Sequence, residues 1–353
     1  TGVTVFDQTS FSKYLLVGRD AESSLQWLCT ADVGVEVGRS VYTGMLNARG
    51  TYESDVTVTR TATDEYLIVS SAATTERDKD HIRRNLPQGA DAHLVDVTSS
   101  YAVFGVMGPR SRDLLSVLTD ADLSDDAFPF GTSRPITLGY ASVRATRITY
   151  VGELGWELYV PAEFAVGVYE DLLAAGQRYG IARGGYYAIE SLRLEKGYRA
   201  FGRELTPSEN PVEAGLLFAC KLKTDIAFLG RDAVEKARVE GVRKKLVGFV
   251  VNSPEVDIPE ADSPEVDSPE PMLWGGELIL RDGAVAGQAT SAAWGATAGA
   301  GVGLAYLRAA DGSVVDADWV RGGSYQVNVG GQLYPITVSL RPLYDPASER
   351  VRG

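Results

Sequence analysis

Residues 17–32, VGRDAESSLQWLCTAD, are matched ninety residues later by residues 107–122, MGPRSRDLLSVLTDAD. In each copy a strand-like apolar run passes through a glycine into an amphipathic helix. The positions in agreement are a glycine, two leucines and an Ala-Asp pair: Gly18 and Gly108, Leu25 and Leu115, Leu28 and Leu118, Ala31-Asp32 and Ala121-Asp122. Any strand–glycine–helix unit resembles another, but agreement at one offset favours a duplicated α+β unit. Two such units can face each other and form a cleft.

The same alternation of short strands and helices runs through the first two thirds of the chain. Apolar and β-branched runs predict strands at residues 3–6, 14–18, 56–59 and 66–70. Helical spacing of apolar residues predicts helices at residues 21–29, 164–176 and 187–196. We expect Pro161 in the first turn of the second helix and Gly197 at the end of the third.

Residues 253–270 interrupt this pattern with the sequence SPEVDIPEADSPEVDSPE. The segment holds seven acidic residues and no basic ones, and its repeated prolines exclude a helix or a central strand. We expect an extended, solvated loop or a disordered insertion. Beyond it, strands are predicted at residues 276–281, 288–293, 302–307 and 325–329. This succession of short predicted strands indicates a C-terminal β-barrel or sandwich.

These patterns divide the 353 residues into two domains of an α+β protein. Residues 1–240 would hold the two α+β subdomains, and residues 241–353 the β-barrel with its insertion at 253–270. Thr1 is not a methionine, and a strand-like run begins almost at once. We therefore expect a fragment of a longer polypeptide or a processed chain.

The composition excludes several classes of partner. Hydrophobic residues make up 44% and charged residues 23%, which is ordinary for a globular protein in water. The net charge of −13 leaves no basic excess to bind nucleic acid or an anionic membrane surface. No run of about 18 apolar residues is present to span a bilayer.

Cysteine and histidine are scarce. Cys29 and Cys220 are too few for a disulfide framework, so we expect a reducing compartment, the cytoplasm. His81 and His93 do not lie at zinc-type spacing from another histidine or from a cysteine. Neither lies in a motif typical of a catalytic triad. We expect no metal site.

Asp7 is the first candidate for chemistry, because it ends the apolar run of residues 3–6. A carboxylate at the end of a strand can accept a proton from an amine or orient it. The alternative is a structural one: Asp7, Gln8 and Thr9 can open a turn, with the carboxylate binding a backbone N–H group.

Glu157 is the second candidate, and it lies in the most informative stretch, residues 150–159, YVGELGWELY. A carboxylate in an apolar, aromatic strand loses hydration and needs a donor. A planar ligand with two adjacent N–H groups would satisfy it. Tyr150 and Trp156 could supply flat surfaces for a ring. Alternatively, this is an edge strand whose glutamate faces water.

Arg193, in the predicted helix 187–196, could bind a carboxylate of a substrate or cofactor. The alternative is an ion pair with Glu190 or Glu195. A dinucleotide site is excluded at the glycine-rich residues 299–303, which lack both the GxGxxG spacing and a following helix.

The motifs, taken in order, resemble the glycine-cleavage T-protein (aminomethyltransferase) family. The closest similarity is to the C-terminal folate-binding half of dimethylglycine oxidase, dimethylglycine dehydrogenase and sarcosine dehydrogenase. It covers nearly the whole chain. The matching motifs are Phe6-Asp7, YTGMLN at 42–47, Gly50, Asp55, Gly108-Pro109, GELGWE at 152–157, SLRLEKGY at 191–198 and PLYDP at 342–346. A cysteine replaces Tyr198 in the family branch concerned with iron–sulfur maintenance, so the sequence argues against that branch.

The resemblance implies a three-part cloverleaf, with two α+β subdomains that hold tetrahydrofolate followed by a distorted β-barrel. It also implies roles for individual residues. Asp7 would be catalytic, beside the folate amine that accepts the carbon. Glu157 would bind the edge of the pterin with Tyr150 beside it, and Arg193 and Tyr198 would line the folate pocket.

The implied function is transfer of a one-carbon unit to tetrahydrofolate. The carbon would come from a small-molecule donor, an N-methylated glycine oxidised by a flavin-dependent domain or subunit, and the product would be 5,10-methylenetetrahydrofolate. FAD would belong to that separate or missing domain. Two alternatives stay open: a folate-dependent demethylase of another methyl donor, and a non-catalytic regulatory module of the same fold.

Overall fold

The computed structural model describes residues 2–252 and 271–352. The acidic segment 253–270, for which the sequence predicts a loop or a disordered insertion, lies outside the described residues. The strands are β1 (Val3–Asp7), β2 (Ser12–Val17), β3 (Ser40–Leu46), β4 (Tyr52–Ala62), β5 (Glu65–Ser70), β6 (His93–Asp96), β7 (Tyr101–Met107), β8 (Ser133–Leu138), β9 (Ala141–Thr146), β10 (Gly155–Pro161), β11 (Ile181–Gly184), β12 (Lys244–Val251), β13 (Leu278–Arg281), β14 (Ala284–Gly295), β15 (Ala300–Arg308), β16 (Tyr325–Val329) and β17 (Gln332–Ser339). The α-helices are α1 (Ala21–Leu28), α2 (Thr75–Asn85), α3 (Ser111–Leu115), α4 (Ala165–Gly176), α5 (Tyr186–Glu195), α6 (Arg231–Glu240), α7 (Ala317–Arg321) and α8 (Glu349–Arg352).

These strands form three sheets. One has the order β3-β4-β5-β2-β6, a second the order β11-β1-β7-β10-β9-β8, and the third is a closed barrel, β12-β15-β14-β13-β16-β17. We call the first two the N-sheet and the M-sheet. The predicted α+β class with a C-terminal barrel is confirmed. None of the described helices is long and apolar enough to cross a lipid bilayer.

The predicted duplication is confirmed at the two glycines that define it. Gly18 follows β2 and Gly108 follows β7, with φ angles of 132° and 131°. A Cβ atom would lie 2.1 Å from the Asp91 carbonyl oxygen at Gly18, and 2.5 Å from the Gly2 carbonyl oxygen at Gly108. Both turns therefore require a residue without a side chain, because the neighbouring backbone passes too close.

The two copies exchange their leading strands. β1 precedes β2 in the chain but pairs with β7 of the M-sheet, and β6 precedes β7 but pairs with β2 of the N-sheet. β1 also pairs in parallel with β11, Val3 opposite Ile181. Each copy therefore completes the sheet of the other.

The N-sheet and the M-sheet pack face to face. Leu67 and Val69 of β5 join Val103 of β7 and Tyr159 of β10 in one buried cluster between them. Their outer faces bury separate cores, one with residues of α1 and the other with residues of α3 and α4. We call the facing surfaces the inner faces. Side chains alternate along a strand, so the register tells which residues reach the space between the sheets.

The barrel has its own core, and α5 joins it to the sheets. The carboxylate of Glu195 at the end of α5 accepts from the backbone N–H groups of Thr297 and Ala298, both at 2.8 Å. The sequence predicted four barrel strands and missed β12 and β17. The short α7 and α8 lie in a region where the sequence shows no helical periodicity.

One prediction about a helix start is wrong. Pro161 has φ −52° and ψ 136°, an extended conformation, and it ends β10 instead of opening a helix. A short 3₁₀ turn follows, and α4 begins at Ala165. Gly197 does follow the last turn of α5, with a φ of 68°.

Candidate functional site

Glu157 lies on the inner face of the M-sheet, in the middle of β10. Its register partner is Gly105 of β7. The residue is 6% exposed, and burial raises the pKa of its carboxyl group. The hydroxyl of Tyr159 donates to Oε2 at 2.7 Å. Within the described ranges no protein donor reaches Oε1, so one acceptor is open to a ligand between the sheets.

Trp156 points the other way. It belongs to the outer core of the M-sheet and is 0% exposed. Its ring stacks with Phe128 at a centroid distance of 6.1 Å. The suggestion that Trp156 offers a surface to a bound ring is therefore wrong, because the pleat of β10 directs consecutive side chains to opposite faces.

Asp7 is exposed at the end of β1. Its Oδ1 accepts from the backbone N–H of Thr9 at 3.0 Å, which is the turn contact that the sequence offered as the alternative. Its register partner is Phe104, which belongs to the outer core. The strand pleat therefore directs Asp7 away from Glu157, while the next residue, Gln8, lies on the inner face.

Asp55 is a carboxylate that the sequence quoted only as part of a motif, without a role. It lies on β4 between Ser54 and Val56, and Val56 belongs to the outer core. Asp55 therefore projects from the inner face of the N-sheet, towards the M-sheet. The hydroxyl of Tyr42 donates to its Oδ2 at 3.2 Å.

The surroundings of Asp55 combine burial with access. Burial raises the pKa of Asp55 to about 6, and the donor from Tyr42 partly offsets this. Its donor Tyr42 is 37% exposed. Asp55 is half-buried, so the two side chains line a part of the space between the sheets that a ligand can reach.

Tyr150 and Tyr198 border the same space. Their rings stack at 5.9 Å with an interplanar angle of 10°, and the Tyr150 hydroxyl donates to the carbonyl oxygen of Arg199 at 2.8 Å. Tyr150 packs against a cluster that includes Phe6 and Met107, both on the inner face of the M-sheet. The two tyrosines therefore form an aromatic wall at one end of the space.

Arg193 is fully buried below this wall. Its guanidinium donates to both oxygens of Glu190, to Glu204, to the Ser291 hydroxyl and to the Tyr198 carbonyl oxygen. All five N–H donors therefore have protein acceptors. The ion pair with Glu190 that the sequence offered is present. Arg193 is therefore better suited to fixing the position of Tyr198 than to binding a ligand directly.

A separate depression of about 640 Å³ lies at the outer side of α1, bounded in part by Arg19, Trp27 and Asp64. It includes none of the predicted site residues. The facing inner faces are the better candidate, because they carry two carboxylates on opposite sheets and are flanked by an aromatic wall. An open carboxylate acceptor and flat aromatic side chains suit a planar ligand with N–H donors.

Two family models match the chain. One, described as the GCVT N-terminal domain, matches residues 1–224. The other, described as the glycine cleavage T-protein C-terminal barrel domain, matches residues 263–345.

Comparisons with individual proteins agree with these two family matches. Sarcosine dehydrogenase of Mus musculus mitochondria is 39% identical over 99% of this chain, and the chain spans 38% of that protein's length. An aminomethyltransferase of Listeria monocytogenes is 35% identical, over 70% of this chain and 67% of its own. The crystal structure of aminomethyltransferase T from Bartonella henselae superposes on this chain with a TM-score of 0.81. The superposition covers 98% of this chain and 87% of that one at 21% sequence identity, so the two proteins share the fold.

Proposed function

Because this chain belongs to the glycine cleavage T-protein family, we propose that it binds tetrahydrofolate and transfers a one-carbon unit to it. The observation that supports this most directly is the pair of carboxylates on facing walls. Glu157 projects from the M-sheet and Asp55 from the N-sheet, into one space bordered by Tyr150 and Tyr198. This arrangement offers a place to hold a ring and a separate group to handle a proton.

Glu157 would hold the pterin end. Its Oε1 is open, and a hydrogen bond from Tyr159 keeps Oε2 in place. A carboxylate surrounded by protein accepts strongly from two parallel N–H groups, since little water competes. The stacked tyrosines, anchored by Arg193, would limit the positions open to a flat ring. When bound, tetrahydrofolate supplies the nucleophilic amine that takes up the carbon.

Asp55 would manage the proton of that amine. With a pKa of about 6 the carboxylate is mostly ionised at neutral pH, so it can accept a proton as the new carbon–nitrogen bond forms. The Tyr42 hydroxyl stabilises the ionised form and fixes its orientation. Asp7 is the sequence-based candidate for this role; its exposed position and its turn contact with Thr9 make it the weaker one.

The proposal extends to a donor and a partner. We propose that a flavin-dependent domain or subunit outside this chain oxidises an N-methylated amine and delivers the released carbon. The relatives include sarcosine dehydrogenase, which suggests an N-methylated glycine as the donor. FAD would belong to that partner. A reducing compartment such as the cytoplasm suits the free thiols of Cys29 and Cys220.

Binding and turnover can be tested separately. Calorimetry with tetrahydrofolate should show saturable binding by the unaltered chain. Given tetrahydrofolate and formaldehyde, the chain should form 5,10-methylenetetrahydrofolate faster than the reaction without protein. Asp55→Asn should retain binding and slow formation by roughly 10²-fold or more, whereas Asp7→Asn should change it little.

Each alternative has its own outcome. A loss in Asp7→Asn alone would return the catalytic role to Asp7, and an equal loss in both variants would contradict the assignment to Asp55 alone. Binding without turnover by the unaltered chain would indicate a regulatory module. Production of 5-methyltetrahydrofolate from a methyl donor would indicate a demethylase.

A further inference from the structure

Gln8 carries a polar side chain that the proposed function does not use. The residue is 1% exposed. Among the residues that the structure describes, neither its Oε1 nor its Nε2 has a hydrogen-bond partner. A buried amide without partners destabilises a folded chain, so this position invites a partner from outside the protein.

The backbone places this amide beside Glu157. The N–H of Gln8 donates to the Val103 carbonyl oxygen at 2.8 Å, which extends the pairing of β1 with β7 by one residue. The side chain then lies across Gly105, where a Cβ atom would come within 2.6 Å of Oε1. Gly105 is also the register partner of Glu157. The amide and the carboxylate therefore flank a single glycine on the inner face.

We infer that Gln8 and Glu157 together recognise the pyrimidine edge of a reduced pterin, an inference that rests on the proposed function. That edge presents an exocyclic amine donor, a ring N–H donor and a carbonyl acceptor in a row. Oε1 of Glu157 can accept from one donor, and Oε2, which accepts from Tyr159, has a second lone pair for the other. The Gln8 amide N–H can donate to the carbonyl. A carboxylate alone recognises only donors, so Gln8 adds selectivity for a ring that carries the carbonyl group.

The substitution Gln8→Met tests this inference, because methionine has a similar length and no amide. Affinity for tetrahydrofolate, measured by calorimetry, should fall about tenfold, the effect of one hydrogen bond lost from an enclosed site. The melting temperature without ligand should stay equal or rise, since an unpaired buried amide is removed. A glutamine with only a structural role gives the opposite pair of results, a lower melting temperature and unchanged affinity, which would overturn the inference.

A matched control is Gln326→Met, the same exchange on β16 of the barrel. It should leave the affinity unchanged; an equal tenfold loss there would mean that the effect of Gln8→Met is not local, and would also overturn the inference.

A smaller probe locates the contact. With 6-methyltetrahydropterin, which lacks the aminobenzoyl-glutamate tail, Gln8→Met should lose the same factor in affinity as with tetrahydrofolate. A loss confined to tetrahydrofolate would place Gln8 against the tail and overturn the assignment to the ring edge. If the unaltered chain binds neither compound, the proposed function fails as well. Binding by the unaltered chain with no loss in Gln8→Met defeats the Gln8 inference alone.

Discussion

At the scale of single residues, the site arises where the duplicated unit is least symmetric. Ninety residues before Glu157 the chain has Leu67, which packs in the apolar cluster between the sheets. One copy therefore has an ordinary apolar residue on its inner face where the other has a buried carboxylate. A carboxylate loses hydration free energy in such a place. A bound ligand with N–H groups can restore that free energy, which is a physical reason for a glutamate where the other copy has a leucine.

The pKa of Asp55 leads to a prediction about stability. Its value of about 6 in the folded chain lies above the usual 3.8. The folded chain binds the Asp55 proton more tightly than the unfolded chain does. The stability gained from this is fully present below about pH 3.8 and is lost as the pH rises through 6. Asp55→Asn has no such titration. At pH 7.5 we expect the free energy of unfolding of the variant to exceed that of the unaltered chain by roughly 1–2 kcal/mol, a figure reduced for the partial solvent access of Asp55.

Urea denaturation at pH 7.5 and pH 4 measures this difference. The advantage of Asp55→Asn should shrink at pH 4, where most of the Asp55 carboxyl groups in the folded chain are protonated. An advantage of the same size at both pH values would mean that ionisation of Asp55 is not its cause.

The sequence located Glu157 because a charged residue stands out in an apolar strand. It could not assign a role to Asp55, because the alternation along β4 shows two faces without showing which one meets the M-sheet. The same ambiguity affected Asp7 and Trp156. Only the pairing of β1, β7 and β10 decides which side chains share a face.

At the scale of elements, a buried ion pair joins α5 to the segment before the barrel, and both of its partners hydrogen-bond the hydroxyl of Ser291 in β14. Arg193 and Glu204 are both 0% exposed, with Nη1 and Oε2 2.9 Å apart. Arg193→Met leaves Glu204 buried without its main partner, so the free energy of unfolding should fall by roughly 3–5 kcal/mol. The double variant Arg193→Met, Glu204→Gln removes the charge as well and should lose less. Urea denaturation compares them, and equal losses would show that the charge of Glu204 is unimportant.

The repeated glycine turns make a second prediction at this scale. Gly108→Ala should lower the free energy of unfolding by at least roughly 2 kcal/mol, because the added Cβ meets backbone and the φ angle is unfavourable for alanine. Gly18→Ala should behave similarly. Gly167 in α4 is the control, since a Cβ there meets no atom of the described chain within 4 Å. Gly167→Ala should raise stability by about 0.5–1 kcal/mol, and a loss at all three positions would contradict this explanation.

Element positions were largely predictable from periodicity. The paired β2–α1 and β7–α3 units, α5 and several barrel strands all follow local patterns of two or 3.6 residues. β12 was missed although it alternates buried and half-buried residues in part, and β17, most of which is exposed or half-buried, was missed as well. Pro161 was misplaced because proline suits both the end of a strand and the first turn of a helix, and only the neighbouring contacts distinguish these positions.

At the scale of the whole molecule, the exchange of β1 and β6 makes the two copies interdependent. A chain divided in the exposed turn at Gly89 gives residues 1–88 and 89–353. The shorter piece carries β1 without its partners β7 and β11, and its own sheet lacks β6. We expect no cooperative thermal unfolding for residues 1–88 alone, and recovery of a single transition when the two pieces are mixed.

Circular dichroism during heating measures this. The control is the intact chain cut once at the same turn after folding, which should stay folded because the cut lies in an exposed loop. A cooperative transition for residues 1–88 alone would show that the N-sheet does not need β6.

The sequence indicated the duplication and left the strand exchange open. An offset of ninety residues shows that two units are alike, but it contains no information about which sheet receives β1. That choice depends on pairings between residues such as Val3 and Ile181, which are remote in the chain and leave no local pattern.

The parallel pairing of β1 with β11 also has a consequence for synthesis on the ribosome. β1 leaves the ribosome before either of its final neighbours, since Phe104 of β7, opposite Asp7, follows it by roughly a hundred residues and Ile181 of β11, opposite Val3, by about 180. At 5–20 residues per second, this apolar strand lacks β7 for roughly five seconds or longer and β11 for roughly nine seconds or longer. During that interval the nascent chain is a natural client for a chaperone that binds short extended apolar segments, and we expect such help to matter most at β1.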